Sequence, residues 1–325
     1  SYTVGVNPVD LAAADLNSDG KTDLAVVNRG SGTLQVLVNA TVGQGALTFN
    51  VMTPILVGAN PGGVAATDYD GDGWKDLAVT VAGNGTNGTL VPLHNLALSA
   101  GVWQGFAVEG GIPVGPGPTA VAAGKLEGGA GDPNGPDVVV ANTGDGANPG
   151  DSLTVLFNRG TQGTPSSRFG NPLNIGVGAG PIRVLLADLE SDKDTDTLTS
   201  IVAINAPGTG SITAVGPTDA GSVSVIRVLG DGTFSPPVSF AVGFRPSSVA
   251  ASDLDLDSDR DLAIVTRADS SATSAVVRVL RNDSLPGQGG TQLVFAPLTD
   301  DLATGGTGTI VVSGDVDNDT DTDLI

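Results

Sequence analysis

The feature that most constrains this chain is a nine-residue acidic phrase that it states again and again. Asp68-Tyr69-Asp70-Gly71-Asp72-Gly73-Trp74-Lys75-Asp76 runs straight into the apolar Leu77-Ala78-Val79. Carboxylates at the first, third, fifth and ninth places put four hard oxygen donors around one point, and a glycine at the sixth allows the sharp turn between them. That donor set suits calcium. The spacing recurs at Asp15, Asn17, Asp19 and Asp23, at Asp188, Glu190, Asp192 and Asp196, at Asp253, Asp255, Asp257 and Asp261, and at Asp315, Asp317, Asp319 and Asp323. One copy alone reads equally well as a solvated turn, for which Asp and Asn are common residues. Five copies in register, each joining two apolar strands, read as cation sites, since clustered like charges repel until a cation holds them.

Counting a sixth, altered copy, the loops begin at residues 15, 68, 124, 188, 253 and 315. The altered copy has Gly124 in first place and a glycine-rich run over residues 127–135 before Asp137, so no ion is expected there. Between loops the chain repeats short apolar strands, and the first repeat shows them most clearly. Val9–Leu16 leads into the loop, Leu24–Asn28 leaves it, Thr33–Asn39 alternates apolar with polar, and a looser strand spans about Leu47 to Val57. Four strands restated with one loop predict an all-β chain, a β-propeller of four-stranded blades, because blades packed radially bury both faces of each small sheet. Six or seven blades fit, with five complete and a partial terminal blade within residues 1–325, read as a single domain. Tyr2 to Val6 reads as the closing strand of a repeat, and Ile310–Val312 as the opening strand of the sixth. A ring completed by residues beyond Ile325, or by a strand from a neighbouring subunit, is the expectation for those ends.

Only 4% of the chain is aromatic and 48 residues are glycine, so the core must come from small aliphatic side chains in many short strands. A net charge of −21 excludes a binder of phosphate backbones and disfavours membrane surfaces. Much of that charge is local: the five intact loops hold 22 of the 35 acidic residues, and five bound calcium ions would bring −21 to −11. No apolar run approaches the roughly 20 residues of a spanning helix, and residues 1–4 are no signal peptide. Weak oxygen-ligand sites fill at about 0.1 to 1 mM calcium, which points to an extracellular home.

The repeats resemble FG-GAP or VCBS repeats, the blades of integrin α-subunit heads and of many secreted bacterial propellers. The resemblance implies calcium held by side chains at places one, three, five and nine and by the carbonyl at seven, here Lys21, Trp74, Asp194, Asp259 and Asp321. About five calcium sites follow. The chain departs from the pattern at Lys193, Ser258 and Thr320, which stand where glycine usually sits, so a left-handed backbone there costs on the order of 1 kcal/mol.

Catalysis finds little to work with. The one histidine, His94, ends a strand whose siblings end in Val38, Phe157 and Arg281, which assigns it to packing or an edge; there is no cysteine and no GxSxG elbow. Carboxylates committed to metal are too ionised to donate protons, so an enzyme is not expected. Trp74 and Trp103 read as packing residues ahead of sugar-stacking ones. Two functions fit: a surface or secreted binding and adhesion module for a protein or glycan, or a self-assembling subunit of an extracellular filament, appendage or surface layer.

Overall fold

Each of the first five repeats opens at a proline whose preceding residue has a left-handed backbone: Asn7 (φ 54°), Asn60 (φ 53°), Gly117 (φ 57°), Gly180 (φ 63°) and Arg245 (φ 50°). The proline lacks a donor and its N–H is not missed at a strand start, which explains the position. The computed structural model describes residues 1–43, 45–84, 87–127, 134–145, 149–160, 168–189, 200–207, 220–229, 232–267, 274–283, 294–297, 301–304, 306, 309–317 and 322–325.

The first blade is an antiparallel meander of β1 (Pro8–Ala14), β2 (Asp23–Asn28), β3 (Thr33–Asn39) and β4 (Phe49–Val51), with β5 (Ile55–Leu56) also paired to β3. The fourth strand is thus broken in two on the same partner, with the Met52 N–H still donating to the Val36 carbonyl and Gln35 Nε2 donating to the Met52 carbonyl between the pieces. The second blade repeats this with β6 (Pro61–Thr67), β7 (Asp76–Val81), β8 (Gly88–Asn95), then β11 (Phe106–Val108) and β12 (Ile112–Val114) on β8. A small hairpin, β9 (Leu98–Ser99) and β10 (Val102–Trp103), stands between them. The third blade is β13 (Pro118–Gly124), β14 (Asp137–Gly144), β15 (Pro149–Leu156) and β16 (Leu173–Gly176).

The fourth blade comprises β17 (Pro181–Ala187), β18 (Ser200–Asn205), β19 (Ala220–Ile226) and the start of β20 (Val238–Ser252). At 15 residues, β20 serves two blades: a register shift between Phe244 and Ser248, around Arg245 and Pro246, moves it from β19 onto β21 (Asp261–Arg267). Then β22 (Val276–Asn282), β23 (Phe295–Pro297) and β24 (Leu302–Ala303) complete the fifth blade. The sixth repeat contributes β25 (Ser313–Gly314) and β26 (Asp323–Leu324), and the ladder extends through reciprocal bonds between Val312 and Ile325.

By contacts the chain forms two compact units, Ser1–Gly124 with Asp132–Ile175, and Lys125–Gly131 with Gly176–Ile325. In the first, β7 is buried at every residue, with Leu77, Val79 and Val81 packing on Ala25, Val27, Leu34 and Val36 of the first blade. Its other face turns Ala78 toward Val138, Val140 and Leu156 of the third. The second unit does the same: Leu262 and Ile264 of β21 pack on Val202, Ile204, Val223 and Val225, while Ala263 and Val265 pack on the other side with Val277, Val279 and Val311. Four-stranded meanders buried on both faces by the next meander are the blades of a β-propeller, and the fold class is all-β of that type. Burying a Val, Leu or Ile side chain stabilises by about 1.5–3 kcal/mol, so strands of alternating small apolar residues supply the core that the few aromatics do not.

Two expected strands are not found where they were read: the first strand of the sixth repeat is β25 (Ser313–Gly314) rather than Ile310–Val312. Residues 1–7 form no strand, because their hydrogen bonds go to the β2–β3 turn: the Arg29 N–H donates to the Asn7 carbonyl, the Gly30 N–H to the Val6 carbonyl, and the Val6 N–H to Ser31 Oγ. Tyr2 lies edge-on to Phe49 with ring centroids 5.5 Å apart.

Candidate metal centres

The acidic loops join the first strand of a blade to its second, and where they are described they share one backbone. The fourth and sixth places are both left-handed: Ser18 (φ 57°) and Gly20 (φ 81°), Gly71 (φ 76°) and Gly73 (φ 91°), Leu256 (φ 63°) and Ser258 (φ 82°). Ser258 therefore takes the glycine conformation rather than turning differently. Lys193 and Thr320 lie outside the described residues.

That backbone curls around the first carboxylate. Gly20 N–H donates to Asp15 Oδ2 (2.8 Å), Gly73 N–H to Asp68 Oδ2 (2.9 Å) and Ser258 N–H to Asp253 Oδ2 (3.0 Å). The fifth-place carboxylate accepts from the seventh N–H in the same three loops, at Asp19 from Lys21, Asp72 from Trp74 and Asp257 from Asp259. The ninth-place carboxylate, buried at Asp23, Asp76 and Asp261, is doubly used in those three loops. One oxygen takes the second-place N–H: Asp23 from Leu16, Asp76 from Tyr69, Asp261 from Leu254 and Asp323 from Val316, at 2.9–3.2 Å. In three of these the other oxygen takes the N–H of the asparagine ending the third strand, Asn39 to Asp23, Asn95 to Asp76 and Asn282 to Asp261. Asp137 accepts from Asn158 in the same way, so the altered third repeat keeps this latch without the other carboxylates.

Each latch asparagine of a later blade also reaches back. Asn95 Nδ2 donates to the Leu16 carbonyl (2.8 Å), Asn158 Nδ2 to Tyr69 (2.7 Å) and Asn282 Nδ2 to Leu189 (2.7 Å), in each case the second place of the preceding acidic loop. These residues are 79, 89 and 93 positions apart, and no local pattern announces the pairing. Trp103 Nε1 completes Asn95 by donating to its Oδ1, a packing role for that ring, which also meets Phe106 edge-on.

Carboxylate oxygens gather within 4.8 Å of one another at Asp68, Asp70 and Asp72, at Asp253, Asp255 and Asp261, and at Asp315, Asp317 and Asp323. Loop one is not among these groups; its third place is the amide of Asn17. Asp253 Oδ1 is buried without a hydrogen-bond partner, an acceptor left open toward the loop centre's chemistry. A hard divalent cation with oxygen ligands fits these donors, and calcium bound there would neutralise the crowded charges. Burial pushes the carboxyls of Asp23, Asp70 and Asp261 above their ordinary range, and that of Asp76 up to about 7. In the fourth loop Asp188 is described, whereas Glu190, Asp192, Asp194 and Asp196 lie outside the described residues, as do Asp319 and Asp321 of the sixth.

Sequence reading missed His94. It ends β8, and its Nδ1 stands 3.0 Å from Asp70 Oδ2 and 3.4 Å from Asp76 Oδ1. Around it, Tyr69 is fully buried and donates to Glu109 Oε2 (3.0 Å), while the buried Arg168 lies over the Tyr69 ring, 3.6 Å from Glu109 and 4.0 Å from Asp70. The available signal was the position just before Asn95, which the latch holds against the ninth-place Asp.

The blades and their acidic loops define an acidic-loop type of propeller repeat, and part of the chain matches a known repeat family. Residues 15–79, from the first loop through the second, match the FG-GAP-like repeat family. No curated protein matches the chain. Among solved structures it is similar to BBS1N in a crystal structure in complex with ARL6DN, soaked with lead, at 14% identity and a TM-score of 0.43, covering 96% of this chain and 86% of that one. It is also similar to the V. cholerae biofilm matrix protein Bap1, at 11% identity and a TM-score of 0.38, covering 98% and 73%.

Proposed function

We propose that this protein is a calcium-stabilised extracellular propeller, a single domain over residues 1–325, that serves as a surface or secreted binding and adhesion module for a protein or glycan. The observation that carries the reading is the loop geometry: left-handed fourth and sixth places curl the backbone, and in the loops at Asp68 and Asp253 three carboxylates crowd within 4.8 Å. Such crowding is unfavourable without a cation. In the proposal the side chains at places one, three, five and nine and the carbonyl at seven hold the ion in the loops beginning at Asp15, Asp68, Asp188, Asp253 and Asp315. Extracellular calcium is high enough to fill sites of this weak class, and a charge of −21 gives the cation a strong attraction.

Titrating calcium into metal-free chain by isothermal calorimetry tests the metal assignment. Several sites in the 0.1–1 mM range are expected, one fewer after Asp253→Ala. Absence of binding at 5 mM calcium would overturn it. Binding of the calcium-loaded chain to arrayed glycans and matrix proteins, lost in chelator, is the expected functional result; no binding with formation of long assemblies would favour the self-assembling subunit instead.

A further inference from the structure

The second acidic loop differs from its siblings by one nitrogen. His94 occupies the strand-end position held by Val38 in the first blade and Arg281 in the fifth, and it is the chain's only histidine. Its Nδ1 is buried and makes no hydrogen bond, yet it faces Asp70 Oδ2 at 3.0 Å and Asp76 Oδ1 at 3.4 Å. Asp70, Asp76 and His94 bring donor atoms within 4.8 Å of one another from three elements: the loop, the start of β7 and the end of β8. Ligand bonds of about 2.1 Å in a tetrahedron set donor atoms about 3.4 Å apart, close to the separations found. Calcium prefers oxygen donors at about 2.3–2.6 Å, whereas imidazole suits zinc and its neighbours in the first transition row.

The donors are also held in place. Asp76 Oδ1 accepts the Asn95 N–H (2.8 Å) and Oδ2 the Tyr69 N–H (3.2 Å), which fixes the plane of the carboxylate and leaves a lone pair on Oδ1 toward His94. Asp70 Oδ1 accepts the Asp72 N–H at 3.3 Å, which leaves Oδ2 for the site. Arg168 Nη2, 4.0 Å from Asp70 Oδ2, is the nearest opposing charge and weakens the site without filling it.

We propose that Asp70, Asp76 and His94 form a site for a borderline divalent cation of the zinc and cobalt class, which competes with calcium for the second loop because Asp70 and Asp76 are its third and ninth places. The assignment rests on reading the acidic loops as metal loops and gives the second one a further cation class that its siblings lack. Its test uses the untagged full chain freed of metal, titrated with zinc by calorimetry and examined by zinc X-ray absorption. Because the chain has one histidine, any imidazole neighbour to zinc reports His94. One equivalent of zinc with one nitrogen at about 2.0–2.1 Å is expected. His94→Gln is expected to weaken zinc at least ten-fold while the rise in melting temperature given by calcium stays as in the parent, which also shows the variant folded. A zinc shell of oxygen only, or unchanged zinc affinity in His94→Gln, would overturn the proposal and leave His94 and Asp70 as an ion pair only. Zinc bound through His94 in a chain that calcium does not stabilise would uphold this site while the calcium reading failed.

Discussion

At the scale of single residues, the acidic loops are set by backbone handedness as much as by carboxylates. Nothing stands within 4 Å of a Cβ added at Gly20 or Gly73, so a substitution there meets no clash and reports conformation alone. Gly20→Ala is expected to cost about 1 kcal/mol, and Ser258→Gly to stabilise by roughly 0.5–1 kcal/mol, in denaturant unfolding. Equal midpoints for Ser258→Gly and parent would contradict the strain. Asp76 gives a second residue-scale expectation. Burial pushes its folded carboxyl up to about 7, against 3.8 for the free group, so the folded state holds the extra proton between those values. Stability of the metal-free chain therefore falls as pH rises from about 4 to about 7, because the unfolded chain gives up its proton first. Calcium needs the ionised carboxylate, so the melting-temperature gain from calcium should grow over that same window; a gain that shrinks from pH 5 to pH 7 would contradict this.

At the scale of elements, the latch asparagines tie the end of a blade's third strand to its own ninth-place Asp, and those of the second, third and fifth blades also to the acidic loop of the blade before. Asn158 is the clearest case, since its own loop lacks the first-place carboxylate yet its Nδ2 donates to Tyr69 in the second blade. Asn158→Ala leaves that buried carbonyl without its donor and is expected to destabilise by about 1–3 kcal/mol in denaturant unfolding. A change within 0.3 kcal/mol would show the latch to be incidental. The strands themselves were legible: Thr33–Asn39 alternates and is β3 as read, and the runs Leu77–Val81 and Val138–Asn142 lie inside β7 and β14. The broken outer strands were not, because β4 and β5 take their register from β3 and its Gln35 side chain rather than from their own sequence. The left-handed fourth place was hidden by Leu256, which carries no turn signal, and by Ser18, a turn residue with no preference for a left-handed backbone. His94 was hidden for a further reason: the nearness of a strand end to a loop 18 or more positions away is tertiary, and spacing along the chain does not encode it.

At the scale of the whole molecule, charge and small-residue packing act together. A chain of −21 with a core of Val, Ala, Leu and Ile has self-repulsion to offset, and cations at the loops reduce it where it is most concentrated. A site filled to ten times its dissociation constant adds about 1.4 kcal/mol, so several sites contribute an amount comparable with the 5–15 kcal/mol net stability of an ordinary domain. Melting the intact chain by calorimetry, in chelator and then in rising calcium, tests this most directly. The account predicts a melting temperature that climbs with calcium through the millimolar range, in one cooperative transition as the proposed single domain requires, and falls back on chelation. A melting temperature indifferent to both calcium and chelator would contradict it.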